Sequence, residues 1–339
     1  RYCSFRCFWC RFSLGRLCHK MVNTRCAFLF AGQGSQYIGM GEDLYESFPE
    51  SKAIFDKADK ILGFSITNLC FKGPQEELTQ TANCQPAILT ASIAAWEAFS
   101  SVVSRKSYVV SYAAGLSLGE YSALVAAQAL SFEDAVYLVR RRGEFMEEEA
   151  GKNPGKMLSI IGLDLVTVKK ICSQSQTEIA NINCPGQIVI SGGREGIEKA
   201  REVAGELGAK MAIVLEVSGA FHSSFMKDVT FKLATELEKI KINTPSIPVV
   251  CNVTGRQTLS PNEIKDNLIK QVVSCVLWED SMKFILSRGI TKFFEFGPGK
   301  VLKGLMRRID ANAEVINIEK KEDILALLQG LSPQGTVPA

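Results

Sequence analysis

The stretch from Tyr108 to Ala127 constrains the fold more than any other. Residues 108–114 form a short apolar run, Gly115-Leu116-Ser117-Leu118-Gly119 follows, and 120–127 continues as a helix. A G-x-S-x-G string between strand and helix is the setting of a nucleophile elbow, a turn so sharp that its flanks must avoid a Cβ clash. Such a turn lifts the serine hydroxyl above the sheet edge. The helix behind it aims its N-terminal N–H groups at the same spot, ready for an oxyanion. The competing reading is a glycine-lined tight turn with a structural serine.

The rest of the chain repeats the strand-then-helix rhythm. Residues 26–31 read as a buried strand stopped by Gly32, 50–62 as a helix, and 87–99 as an Ala-rich buried helix. Ser131, with Asp134 three residues on, opens a helix that carries Arg140-Arg141-Arg142. Between 156 and 217 the rhythm changes to strand 157–163, helix 165–173, strands 179–183 and 187–193, helix 196–207 and strand 211–217. That β-α-β-β-α-β order is a ferredoxin-like unit. A helix at 225–239, a strand at 247–253, helices at 264–273 and 280–287, a strand at 293–296 and a helix at 300–308 follow. The expected fold class is α/β. The expected domains are a large domain over 21–153 and 220–329, a ferredoxin-like subdomain over 154–219, a leading arm over 1–20 and a flexible tail over 330–339.

Composition excludes several functions. Residues 1–20 hold Arg1, Arg6, Arg11, Arg16 and Lys20 and no acid, so a chain of net charge +3 has a body of −2. A near-neutral body argues against a dedicated nucleic-acid binder. No apolar run approaches the ~18 residues of a membrane helix. Eleven cysteines, an odd number without repeated spacing, fit free thiols in a reducing compartment better than a disulfide framework. Within the arm, Cys7-x-x-Cys10 with Cys18 and His19 matches no standard zinc finger. Its Arg-rich, acid-poor character partly fits a mitochondrial or plastid transit peptide. A non-native extension ending before Met21 is the favoured reading. Cytoplasmic location is therefore expected, with mitochondrion or plastid as the alternative, and a monomer is the default.

A serine nucleophile needs a base. The chain has two histidines, and outside the arm only His222, in Ser218-Gly219-Ala220-Phe221-His222, is left. It follows the last strand of the subdomain, at a junction of the kind active sites favour. Gly32-Gln33-Gly34 is no dinucleotide fingerprint, because Tyr37 stands at the third glycine position, and no Walker lysine follows. A glycine-rich loop there suits the second donor of an oxyanion hole. Of the three consecutive arginines, an inward one would clamp a carboxylate and outward ones would be solvated. Residue physics alone does not choose among them.

Seven motifs then fall in one order: 28–36 (FLFAGQGSQ), Gln85-Pro86-Ala87, 115–122 (GLSLGEYS), Arg142-Gly143, 183–187 (NCPGQ), 219–222 (GAFH) and 297–300 (GPGK). In this the chain resembles the malonyl-CoA:acyl carrier protein transacylases, over roughly residues 24–320. The resemblance implies an α/β-hydrolase-like large domain with an inserted ferredoxin-like subdomain. It implies Ser117 as the acylated nucleophile and His222 as base and acid. The N–H groups of Gln33 and Leu118 would form the oxyanion hole, and Arg142 would hold the malonyl carboxylate. Asn183 and Gln85 would support the site, and Phe221 would fill the space an α-methyl group needs. A main-chain carbonyl, expected within Val276-Leu277-Trp278, would orient the histidine. Two departures stand out: Leu116 where bacterial members often have His, and Ala31 where Pro is frequent.

The implied reaction is ping-pong transfer of malonyl from malonyl-CoA to the phosphopantetheine thiol of acyl carrier protein, with no metal or redox cofactor. Fatty acid synthesis is the expected pathway, and a polyketide trans-acting acyltransferase is the alternative. Lys300, Lys303, Arg307 and Arg308 are candidates to meet the acidic carrier, the alternative being a basic helix C-terminus. A serine thioesterase or esterase would need a triad acid, and none can be placed. A non-catalytic scaffold is disfavoured by the intact Ser117, His222 and Arg142.

Overall fold

The computed structural model describes residues 24–103 and 108–331. The leading arm with its zinc and transit-peptide readings, and the tail from 332 onward, lie outside the described residues. The chain opens with β1 (Thr24–Phe30), then runs through α1 (Glu42–Ser47), α2 (Pro49–Leu62), α3 (Ile66–Lys72), α4 (Gln75–Thr79) and α5 (Thr81–Val102). Strand β2 (Tyr108–Gly115) leads into α6 (Gly119–Ala126) and α7 (Phe132–Lys152). The middle section is β3 (Gly155–Ile161), α8 (Leu165–Ser175), β4 (Glu178–Cys184), β5 (Gln187–Gly193), α9 (Arg194–Glu206) and β6 (Met211–Val214). Then come α10 (Lys227–Glu238), β7 (Val249–Cys251), β8 (Arg256–Thr258), α11 (Pro261–Gln271) and α12 (Trp278–Ser287). The last elements are β9 (Lys292–Phe296), α13 (Val301–Ile309), β10 (Glu314–Ile318) and α14 (Lys321–Leu331).

Two sheets form. The larger has the order β10-β9-β1-β2-β7-β8 and is parallel except for β8 at one edge. Parallel strands need crossovers and are covered on both faces, which is why β1 from Cys26 onward reads as an apolar run. Its side chains divide by pleat: Cys26, Phe28 and Phe30 join one core with α5, α6 and α7, while Ala27 and Leu29 join a second with α12 and α13. Phe28, Phe99, Phe294 and Phe296 close the first core with edge-to-face contacts.

The smaller sheet, order β6-β3-β5-β4, is antiparallel throughout and packs α8 and α9 on a third core around Leu158, Ile160, Ile188 and Ile190. This is the ferredoxin-like arrangement, inserted between α7 and α10, and the α/β class is as expected. Connections from β1 run to β2 on one side, while β9 flanks β1 on the other. The switch point of the sheet, beside which ligands bind in open α/β sheets, therefore lies between the C-terminal ends of β1 and β9, and β2 is the next strand along from β1.

Several elements differ from their expected extents. The strand expected at 247–253 is the three-residue β7, and the helix expected at 87–99 extends over α5. Helices α1, α3 and α4 span 5–7 residues, too few for a helical period to emerge from sequence. No helix among the described residues is long and apolar enough to cross a membrane.

Candidate active site

The elbow is built at the C-terminal end of β2, one strand from the switch point. A Cβ on Gly115 would lie 2.0 Å from the Gly119 backbone, and one on Gly119 would lie 2.3 Å from Phe30 O. Glycine at both positions is what lets strand, turn and helix close on one another. Ser117, between them, sits at φ 52°, a left-handed conformation costly for a residue with a Cβ. The strain is restrained from both sides of the residue. Ser117 N–H donates to Asn252 Oδ1 (2.6 Å), and Ser117 O accepts from Gln271 Nε2 (3.2 Å). Asn252, just past β7, also donates from Nδ2 to Gly115 O (2.8 Å).

His222 reaches the elbow from the loop after β6, also with positive φ (58°). Ser191 of β5 donates to Phe221 O and Ser223 Oγ donates to Ala220 O, so the smaller sheet fixes this loop. The ring stands with Nε2 2.8 Å from Ser117 Oγ and Nδ1 2.8 Å from Gln271 O. A carbonyl only accepts, so Nδ1 carries the proton and Nε2 presents its lone pair to the hydroxyl. His222 is 5% exposed, and its pKa falls to about 4. Burial is the main cause and the Arg142 charge the second, with the Gln271 carbonyl pulling the other way. The ring is therefore neutral at physiological pH, the form a general base requires.

The orienting carbonyl corrects the expectation that placed it within Val276–Trp278. Val276 is engaged elsewhere: its N–H donates to Ala180 O and its carbonyl accepts from Ile182 N–H, tying the chain to β4. Gln271 instead ends α11, where the last carbonyls lack intrahelical partners and are free to accept from a side chain. Among the described residues His222 has no carboxylate partner, so the arrangement is not a Ser-His-acid triad.

The three arginines separate as helix geometry demands. Arg140 pairs with Glu144 and donates to Asn83 Oδ1, while Arg141 pairs with Glu144 and stacks on Phe145. Arg142 turns inward at 1% exposure. It donates to Gln85 Oε1 (2.8 Å), Gln271 Oε1 (3.1 Å) and Ser117 Oγ (3.2 Å). Burial draws its pKa below the ordinary value, opposed by Tyr121, Glu120 and Cys84. Gln85, in α5, thus supports the guanidinium and is itself fully buried.

A cavity of about 500 Å³ opens over Ser117 and His222. Gln33, Asn183 and Phe221 line it, together with Met146 and, from α13, Val301 and Leu305. Leu118 is buried at the N-cap of α6. Since Ser117 N–H is taken by Asn252, an oxyanion at this site depends on neighbouring N–H groups. Asn252 and Gln271 escaped the sequence reading, and Glu120 entered it only within the 115–122 motif, with no role. One signal was there: polar residues following or interrupting apolar runs, which are buried only when hydrogen-bonded.

Comparison with known proteins shows the family. The acyl transferase domain family model matches residues 27–318. The malonyl CoA-acyl carrier protein transacylase of Bacillus subtilis (strain 168) is 46% identical over 316 residues, 92% of this chain and 98% of that protein. That of Escherichia coli (strain K12) is 41% identical over 290 residues, 84% and 93% of the two chains. Among solved structures, the acyl-carrier-protein-S-malonyltransferase of Bartonella henselae superposes with TM-score 0.87 at 38% identity, covering 91% of this chain and 99% of that one. A malonyl-transacylase in complex with its type II PKS acyl-carrier protein superposes with TM-score 0.87 at 37% identity, covering 91% and 100%. Fold and site first place the chain among the acyl transferases. At this identity and coverage the chain belongs to the malonyl CoA-acyl carrier protein transacylase family.

Proposed function

We propose that this protein transfers malonyl from malonyl-CoA to acyl carrier protein through a malonyl ester on Ser117. The observation that carries the reading is the chain Gln271 O···His222···Ser117 Oγ, with the Arg142 guanidinium on the same hydroxyl. His222 Nε2 takes the hydroxyl proton as Oγ attacks the thioester carbon. The oxyanion forms under the N–H groups of Gln33 and Leu118, and the protonated imidazole returns its proton to the departing CoA sulfur. The phosphopantetheine thiol then attacks the ester, with His222 again as base. Arg142 pairs with the malonyl carboxylate, which fixes the acyl group for thiol attack rather than hydrolysis. Asn183 contributes a polar wall, and Phe221 closes the space beside the α-carbon.

The carrier docks, in this reading, on the rim supplied by α13. Lys300, Lys303, Arg307 and Arg308 are exposed there, while Val301 and Leu305 of the same segment line the cavity. Fatty acid synthesis in the cytoplasm, by a monomer, is the setting we assign. The test mixes purified protein with labelled malonyl-CoA without carrier. A stable malonyl-serine supports the transferase, rapid release of free malonate supports a hydrolase, and no label supports a non-catalytic scaffold.

A further inference from the structure

The two struts that hold the elbow end on one atom. Asn252, whose side chain takes the Ser117 N–H, donates its own backbone N–H to Glu120 Oε2 (3.0 Å). Gln271, whose Nε2 donates to Ser117 O, donates from the same nitrogen to Glu120 Oε2 (2.8 Å). Glu120 lies three residues past the nucleophile, in the first turn of α6, at 2% exposure. It does not line the cavity and is bonded to neither Ser117 Oγ nor His222.

We propose that Glu120 is a positioning residue: one carboxylate oxygen anchors both struts of the elbow and sets the amide that joins the base to the carboxylate clamp. The proposal rests on the reading of Ser117, His222 and Arg142 given above. An ionised carboxylate only accepts, so it dictates which end of the Gln271 amide it meets. Nε2 must face Glu120, and Oε1 then faces Arg142 Nη2. The backbone carbonyl of that same Gln271 holds His222 Nδ1. Nucleophile backbone, base and clamp are thus referred to a single buried anion.

The amide has a second consequence. Arg142 is buried, and its guanidinium donates to neutral oxygens of Gln85, Gln271 and Ser117. Glu120 is the carboxylate whose charge acts on it, one amide away. A direct Arg142–Glu120 pair would occupy the two-pronged donor. The Gln271 spacer keeps the counter-charge close while leaving guanidinium hydrogens for a substrate carboxylate.

The ionisation of Glu120 separates this role from a merely structural one. Burial pushes its pKa up to about 7, against the Asn252 N–H, the Gln271 amide, the Cys251 thiol and the Arg142 charge. The titratable groups facing it are Arg142 from α7 and Cys251 from β7, with the Tyr121 phenol beside it on α6. Cys84 of α5 acts on Arg142. Strands β1 and β2 carry Arg25, Cys26, Tyr108 and Tyr112, of which Cys26 and Tyr108 respond to Lys292 instead. His222, held near 4, stays neutral while Glu120 titrates. Loss of activity between pH 8 and pH 5.5 then belongs to Glu120.

The test measures kcat/KM for acylation of Ser117 by the malonyl thioester of N-acetylcysteamine, which carries no phosphate that titrates in this range. We expect the wild-type value to fall about tenfold or more from pH 8 to pH 5.5. Glu120→Gln should be about tenfold slower at pH 8 and nearly flat down to pH 5.5. Glu120→Asp, which keeps the charge, should keep an acid limb. A flat wild-type profile overturns the proposal whether or not the variants fold, and so does a Glu120→Gln enzyme that retains the wild-type limb. Malonyl label on wild-type Ser117 at pH 8 is scored separately. Its absence defeats the underlying reading, whereas label with an unaltered Glu120→Gln profile defeats only this proposal.

Discussion

Replacing Arg142 with alanine should turn a malonyl-selective site into one that prefers acetyl. The guanidinium is 1% exposed and meets Ser117 Oγ at 3.2 Å, so in the proposed reaction a malonyl carboxylate on the Ser117 ester would meet it inside the protein. Removing one partner of a buried, hydrogen-bonded ion pair costs about 3–5 kcal/mol, because the other charge is left uncompensated. At 1.36 kcal/mol per tenfold, malonyl loading should drop by roughly 10²–10⁴. Acetyl has no carboxylate, so its loading should stay level or rise. The mutation also leaves Gln85 Oε1 and Gln271 Oε1 without their Arg142 donor, so a thermal melt must accompany the assay. Arg142→Lys should recover only part of the loss, since a point charge lacks two parallel donors. Arg140→Ala, which removes the Glu144 pair on another face, is the control. The assay is the ratio of malonyl to acetyl label on Ser117. An Arg142→Ala enzyme with the wild-type ratio, or an Arg140→Ala enzyme with a shifted one, would refute the clamp.

Other consequences follow from the same geometry. His222→Ala should slow acylation by about 10²–10⁴-fold, the usual worth of a general base, and stopped-flow release of CoA reads this directly. Phe221→Ala should raise methylmalonyl loading relative to malonyl by about tenfold or more, because Phe221 lines the cavity; an unchanged ratio would remove it as a selectivity residue. If α13 steers an acidic carrier, its apparent affinity should weaken as salt rises, and Lys303→Glu should weaken it further at low salt. A salt-independent Michaelis constant for the carrier would count against that surface.

Much of the site was legible because its backbone leaves marks in the sequence. Gly115 and Gly119 stand where a Cβ has no room, and the run ahead of them ends in Tyr112, Ala113 and Ala114, which divide between the cores on the two faces of the sheet. The βαββαβ rhythm was legible because its elements are long enough to show a period. Arg142 was not separable from Arg140 and Arg141 by charge or spacing; only the orientation of α7 in the packed fold divides them, and the family resemblance supplied the choice. The carbonyl that orients His222 was misplaced because any residue can supply a carbonyl. The end of a helix, where such groups go unpaired, was the better place to look. Asn252 and Glu120 lie far apart in sequence and become one network only when β7 packs beside β2.

In the proposed reaction Ser117 carries malonyl between two thiols. Intact-protein mass spectrometry after brief mixing with malonyl-CoA, followed by peptide mapping and a chase with holo acyl carrier protein, tests it most directly. One added malonyl group per chain is expected, located on the Ser117 peptide and absent from Ser117→Ala. That group should pass to the carrier thiol in the chase, with little free malonate. Transfer to carrier by Ser117→Ala, or an adduct on any other residue, would contradict it.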